Sequence, residues 1–258
     1  MKRFILVITD KGGTGKSVFA RLLADRYRRD DVKALLVDAD GEVGQLFQHY
    51  ATLGADGEPV VQQPGEGVLT VGFNAGERER DRLLEMLDHD ADLVLVDMPA
   101  GSLSELAELD HASGFFDELG RAGYRSTFVN VLSPFRASTR TVRQMIELGG
   151  ERVDYIAVVN RWFGDAEDFY LWFGDGAEVA QSSGRTLLQD RGGIEIELPH
   201  LQAGVMVAVD EMMAPFTAAA AEGASLRRAQ RSRLIRWLQE ADRQLDRAAP
   251  LLGLEPAV

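Results

Sequence analysis

The chain carries a series of short, nearly continuous apolar runs, each followed by a segment of helix length, and this spacing constrains its fold more than any other feature. The runs are RFILVIT (3–9), KALLVDAD (33–40), LTVGF (69–73), DLVLVDMP (92–99), STFVNVL (126–132) and YIAVVNR (155–161). A strand exposed on one face alternates apolar and polar residues, whereas a strand covered by helices on both faces reads as one hydrophobic block. The pattern predicts an α/β protein with a doubly wound, mainly parallel sheet and helices on both faces, including helices over 17–29, 77–89, 103–120 and 137–148. Sheets of this kind bind ligands at the carboxyl ends of their strands. Residues 224–249 predict one long amphipathic helix with Leu234, Trp237, Leu238, Ala241 and Leu245 on a single face. No repeat or linker divides the chain, so 1–258 is expected to form one domain.

The first run leads into TDKGGTGKS (9–17), and a helix pattern begins directly after it. Strand, glycine-rich loop, GKS and helix are the parts of a phosphate-binding loop. Gly12, Gly13 and Gly15 let the backbone bend around an anion and aim N–H groups inward, with Thr14 between them. The helix start adds the positive end of its dipole. Lys16 supplies a compact charge for the β- and γ-phosphates, and Ser17 a hydroxyl for Mg²⁺. Binding of ATP or GTP follows. Lysine is scarce in this chain, which uses only Lys2, Lys11, Lys16 and Lys33, and yet two of these fall within the loop.

That second lysine carries a resemblance. KGGTGKS resembles the deviant Walker A motif of the ParA/MinD family of P-loop ATPases. In that family the early lysine reaches across a nucleotide-sandwich dimer to the partner's ATP. The resemblance implies that Lys11 acts in trans and Lys16 in cis, in a homodimer formed with ATP and Mg²⁺. LLVDADGEVGQ (35–45) resembles the family's D-x-D switch segment, which implies that Asp40 orients the attacking water and Asp38 supports Mg²⁺ through a water. Gly41 stands where the family often has proline, so the switch loop is expected to differ in shape. LVLVDMPAG (93–101) resembles the Walker B segment and implies that Asp97 holds the Mg²⁺ hydration shell. VVNRW (158–162) resembles the adenine-recognition element, with Asn160 and Arg161 as its N-R pair. LPHL (198–201) resembles the loop that closes over the base.

Several branches of the family fit poorly. The chain has no cysteine, which excludes iron–sulfur clusters and cysteine-held zinc. It has one phosphate-binding loop where the anion pumps have two, and no terminal tyrosine cluster of the kinase sort. APLLGLEPAV (249–258) contains no basic residue, so no membrane anchor of the MinD sort is expected. Long partition ATPases carry an N-terminal helix-turn-helix domain, whereas here the first strand is expected by residue 3. A short ParA-like ATPase remains, slow in turnover, awaiting a stimulating or cargo adaptor protein and positioning DNA or other cargo. The alternatives are a nucleotide-gated adaptor for a protein complex and a metabolic ligase or kinase of the same fold; Lys11 weighs against the latter.

A net charge of −13 is unlike a surface basic all over, but it leaves room for a local patch. The segment Arg227–Arg247 is arginine-rich and could hold DNA through its phosphates without reading sequence. Trp162, Phe163, Phe169, Tyr170, Trp172 and Phe173 crowd one stretch, which reads either as a local aromatic core or as a docking surface. His49, His89, His111 and His200 show no metal-ligand spacing. The run before Thr9 is too short for a signal peptide, and no stretch nears the ~20 apolar residues of a membrane span, so a cytoplasmic location is expected.

Overall fold

The computed structural model describes residues 1–60, 62–63 and 67–254. In chain order, β1 (Lys2–Val7), α1 (Lys16–Arg29), β2 (Leu35–Asp38), α2 (Gln45–Tyr50) and β3 (Val68–Thr70) form the first part. Then come α3 (Glu77–Glu85), β4 (Leu93–Asp97), α4 (Leu103–Ser113), α5 (Phe115–Arg121) and β5 (Tyr124–Leu132). α6 (Arg136–Gly149), β6 (Val153–Asn160), α7 (Tyr170–Phe173), α8 (Ser183–Asp190) and β7 (Ile194–Leu198) follow. The described chain finishes with α9 (Ala203–Asp210), α10 (Phe216–Ala220) and α11 (Arg228–Arg247).

The strands make one parallel sheet in the order β3-β2-β4-β1-β5-β6-β7. Successive side chains point to opposite faces of a strand, so each apolar run feeds two cores. Ile5 and Val7 of β1 join Leu95, Val129 and Val158 under α1, α9, α10 and α11. Phe4 and Leu6 join Val94, Val96 and Phe128 under α4, α5 and α6. This two-sided burial is why the runs lack alternation, and it bears out the expected layering.

Three features depart from the sequence reading. The helix expected over 103–120 is two helices, because Gly114 takes a left-handed φ of 67° and ends α4 as its C-cap. β7 was not expected at all. As the outermost strand it pairs only with β6, and IEIEL alternates, with Glu195 and Glu197 bound by Arg185 and Arg161. The short helices α2 and α7–α10 also lacked a periodic signal long enough to read. α11, at Arg228–Arg247, fills most of the helix expected over 224–249, and its buried residues are the expected Leu234, Trp237, Leu238, Ala241 and Leu245.

The crossover from β1 leads toward β2 on one side of the sheet, while that from β4 leads to β5 on the other. Such a reversal opens a crevice outside the strand ends. The loops after β1, β2 and β4 all open there.

Candidate active site

The loop after β1 is set by glycine geometry. Gly13 and Gly15 take φ of 75° and 99°, which residues with a Cβ rarely adopt. Gly15 is also pressed from outside, since a Cβ there would stand 2.5 Å from the Asn160 Nδ2. It precedes α1, which has no side-chain N-cap and no acidic residue in its first turn. The amides at that helix start are therefore free to meet an anion. Lys16 is 7% exposed. Burial lowers its pKa, and the charges of Asp97, Asp40 and Asp10 oppose that shift. Thr14 is buried, and its hydroxyl has no partner.

Two carboxylates stand side by side behind the loop. In the β2–β4 ladder Asp38 is the register partner of Asp97, and Asp97 is also opposite Val7 of β1. Burial, then the charge of Asp38, pushes Asp97 up to about 7, while hydrogen bonding to Ser17 and the Lys16 charge pull the other way. Asp97 Oδ1 is buried without a partner. Burial likewise pushes Asp38 up to about 6. Both shifts express charge that lacks compensation, and a cation nearby would supply it.

An Mg²⁺–nucleotide fits this donor set. A glycine cradle, an uncapped helix start and a buried lysine suit phosphates, while orphaned oxygens at Thr14 and Asp97 suit a hydrated cation. No cluster of three metal-ligating side chains occurs among the described residues.

The switch segment is built on Asp38. Its Oδ1 accepts from the Asp40 amide at 3.1 Å and its Oδ2 from the Phe47 amide at 2.9 Å. Asp38 thus ties the loop between β2 and α2 to the sheet. Gly41 has φ of 75°, a value closed to proline, so the loop takes a path that a proline here would forbid. Asp40 is exposed at its start, and its backbone bridges to Gly72.

Asn160 sits at the end of β6, 4% exposed. Its Nδ2 donates to the Thr14 carbonyl at 2.7 Å, and its Oδ1 accepts from the Trp162 amide at 3.0 Å. The side chain clamps the phosphate loop, leaving one N–H and one lone pair for any other partner. Arg161 is turned to Glu197, with its guanidinium 6.0 Å from the Phe169 ring. Beside the loop lies a cavity of about 120 Å³ walled by Gly13, Asn160, Trp162, Phe163, Pro199 and Trp237. Trp162, 43% exposed, lies 5.9 Å from the His200 ring. The aromatic stretch therefore divides. Phe169 and Trp172 are fully buried core, whereas Trp162 and Phe163 line the cavity. Trp237 does more than pack: its Nε1 donates to the Pro199 carbonyl at 2.7 Å, fixing α11 to the cavity wall.

Lys11 does not join Lys16. It is exposed, with Nζ 5.0 Å from the centroid of the Phe135 ring.

No protein-family model matches the chain, and no curated protein matches it. Solved structures similar to this chain include an ADP complex of a nucleotide-binding protein from Archaeoglobus fulgidus. It is 17% identical with a TM-score of 0.48, over 82% of this chain and 86% of that one. The MinC:MinD cell division complex of Aquifex aeolicus is 15% identical with a TM-score of 0.44, over 93% and 97%. A putative plasmid partition protein from Borrelia burgdorferi bound to AMPPNP is 11% identical with a TM-score of 0.45, over 94% and 98%. Likeness at this level transfers no residue roles, and what the site can do follows from its own geometry. The glycine loop before an uncapped helix start, the paired strand-end aspartates and the strand order together have the layout of a phosphate-binding site, and the loop resembles the deviant Walker A of the ParA/MinD family.

Proposed function

We propose that this chain is a slowly hydrolysing ATPase switch of the ParA/MinD kind, which pairs with a second copy across two bound nucleotides and positions DNA or another cargo. One observation supports the reading: the two loop lysines stand in different environments. Lys16 is buried among the carboxylates of its own site, whereas Lys11 stands exposed and apart from it. Lys16 and the amides of the glycine loop bind phosphates, and Ser17 with Asp97 orients the cation's shell. Bound Mg²⁺ supplies neutralisation of phosphate charge. Asp38 holds the switch loop, and Asp40 at its start orients the water. Trp162 and Phe163 enclose the base, with Asn160 holding the loop beside it.

Charge segregation supports DNA as cargo. Asp242 and Asp246 of α11 turn inward to Arg26 and Arg29 of α1. Arg227, Arg228, Arg233 and Arg236 are exposed and make no ion pair among the described residues. This leaves a cationic face on a protein of net charge −13. No helix among the described residues is long and apolar enough to cross a membrane.

The test is sedimentation with Mg²⁺-ATP, Mg²⁺-ADP and no nucleotide. The wild-type chain is expected to dimerise with ATP only. Lys11→Ala keeps nucleotide binding and loses the dimer, and Asp40→Ala keeps the dimer and loses turnover. ATP-dependent dimerisation and turnover that persist unchanged in Lys11→Ala would refute the trans role.

A further inference from the structure

Lys11 is exposed, yet its ammonium has a definite neighbour in its own chain, the Phe135 ring at 5.0 Å. Phe135 directly precedes α6 and is itself 54% exposed, so core packing does not account for its position. Its other ring contact is edge-on with Phe163, centroids 6.4 Å apart at 77°. Phe163 in turn is a wall of the cavity beside Gly13 and Gly15. Contacts therefore run from Lys11 through Phe135 and Phe163 to the place where a base would lie. One ammonium cannot rest on its own chain's ring and also reach phosphates held by another chain.

We propose that Phe135 is a positioning residue that holds Lys11 in cis until a base entering the cavity moves Phe163 and unseats Phe135. The proposal rests on the nucleotide-sandwich reading of Lys11. An exposed cation–π contact shifts an equilibrium by about two- to fivefold. The release is coupled to nucleotide entry, and a symmetric dimer vacates two such perches, so removing both tightens self-association at sub-saturating Mg²⁺-ATP by roughly 5- to 30-fold.

The experiment uses full-length protein carrying ¹³C at lysine Cε, whose signals from Lys2, Lys11, Lys16 and Lys33 are assigned by single Lys→Arg substitutions. Lys2, 5.3 Å from the Tyr124 ring, is a second ring-shifted lysine and reports that each variant is folded. Without nucleotide, the Lys11 Hε signal is expected upfield, and Phe135→Leu, which keeps apolar bulk without the ring, returns it to the ordinary position. Mg²⁺-ATP releases the signal in the wild-type chain, and Mg²⁺ with inorganic tripolyphosphate, which has no base, does not. Sedimentation at sub-saturating Mg²⁺-ATP then shows the 5- to 30-fold tightening in Phe135→Leu. An unshifted Lys11 signal, release by tripolyphosphate, or an association constant indifferent to Phe135→Leu each overturns the proposal while leaving the ATP dimer intact. A wild-type chain that never self-associates with Mg²⁺-ATP overturns the sandwich reading, and the restraint falls with it.

Discussion

Gly44→Ala tests whether Asp38 organises the switch loop. Gly44 has φ of −69° and ψ of 147°, a conformation open to any residue, so alanine adds no backbone strain. What it adds is a methyl group 1.9 Å from Asp38 Oδ1 and 2.2 Å from Oδ2. Ordinary contact begins near 3.4 Å, so carboxylate and loop must separate by about 1.5 Å. The bonds from the Asp40 and Phe47 amides, now 3.1 and 2.9 Å, would then be broken. Hydrogen bonds to a charged group are worth about 1.5–3 kcal/mol each, and Asp38 is 0% exposed, so water cannot replace them. The expected loss is about 3–6 kcal/mol, equivalent to about 1 M or more in a urea midpoint at a slope near 3 kcal/mol/M. Urea unfolding of the nucleotide-free chain measures it, and ATP turnover is expected to fall with it as Asp40 loses its support. A Gly44→Ala protein within ~0.5 kcal/mol of wild type, with unchanged turnover, would sink the assignment of Asp38 as the anchor.

Three further outcomes are expected. Asp97 and Asp38 are pushed from 3.8 up to about 7 and about 6. A carboxyl raised on folding keeps a proton that the unfolded chain has lost, so their favourable contribution is full below about pH 4 and fades as pH rises to about 7. Asp97→Asn should flatten the fall in stability of the nucleotide-free protein between pH 5 and 7 in denaturation series, and a slope equal to wild type would contradict the assignment. Trp162→Ala should weaken ATP binding about fivefold or more in calorimetry by removing a stacking face, while tripolyphosphate affinity holds; an equal loss for both ligands would take Trp162 out of the base pocket. Replacing Arg227, Arg228, Arg233 and Arg236 by Gln should reduce the salt dependence of ATP-dependent DNA binding by about 3 to 4 in log–log slope, and an unchanged slope would move the DNA surface elsewhere.

Local chemistry made much of this protein legible before its structure. The central strands announce themselves because burial on both faces removes alternation, and the phosphate loop because glycine, lysine and serine are needed at fixed offsets. Edge strand β7 lacks the first signal, since its Glu195 and Glu197 have partners only after α8 and the Arg161 turn pack beside it. Asn160 was legible as a strand-end amide, but not as the clamp on Thr14, a contact across 146 residues. The aromatic stretch was visible as composition alone. Its division into core at Phe169 and Trp172 and cavity wall at Trp162 and Phe163 depends on which way the chain turns after β6. Gly44 gave no signal of its own, because its contact with Asp38 exists only once the switch loop folds back.

Trp237 belongs to two surfaces at once. Its indole walls the cavity beside the phosphate loop and bonds to Pro199, while the helix that carries it shows its arginines outward. A residue shared in this way makes the two surfaces thermodynamic neighbours. Whatever filling the cavity does to the pose of α11, a polyanion on the arginine face does back to the cavity, and by the same factor. On the proposed function, nucleotide affinity measured in dilute buffer is then only one of its values, and a DNA cargo would be one of the quantities that set it.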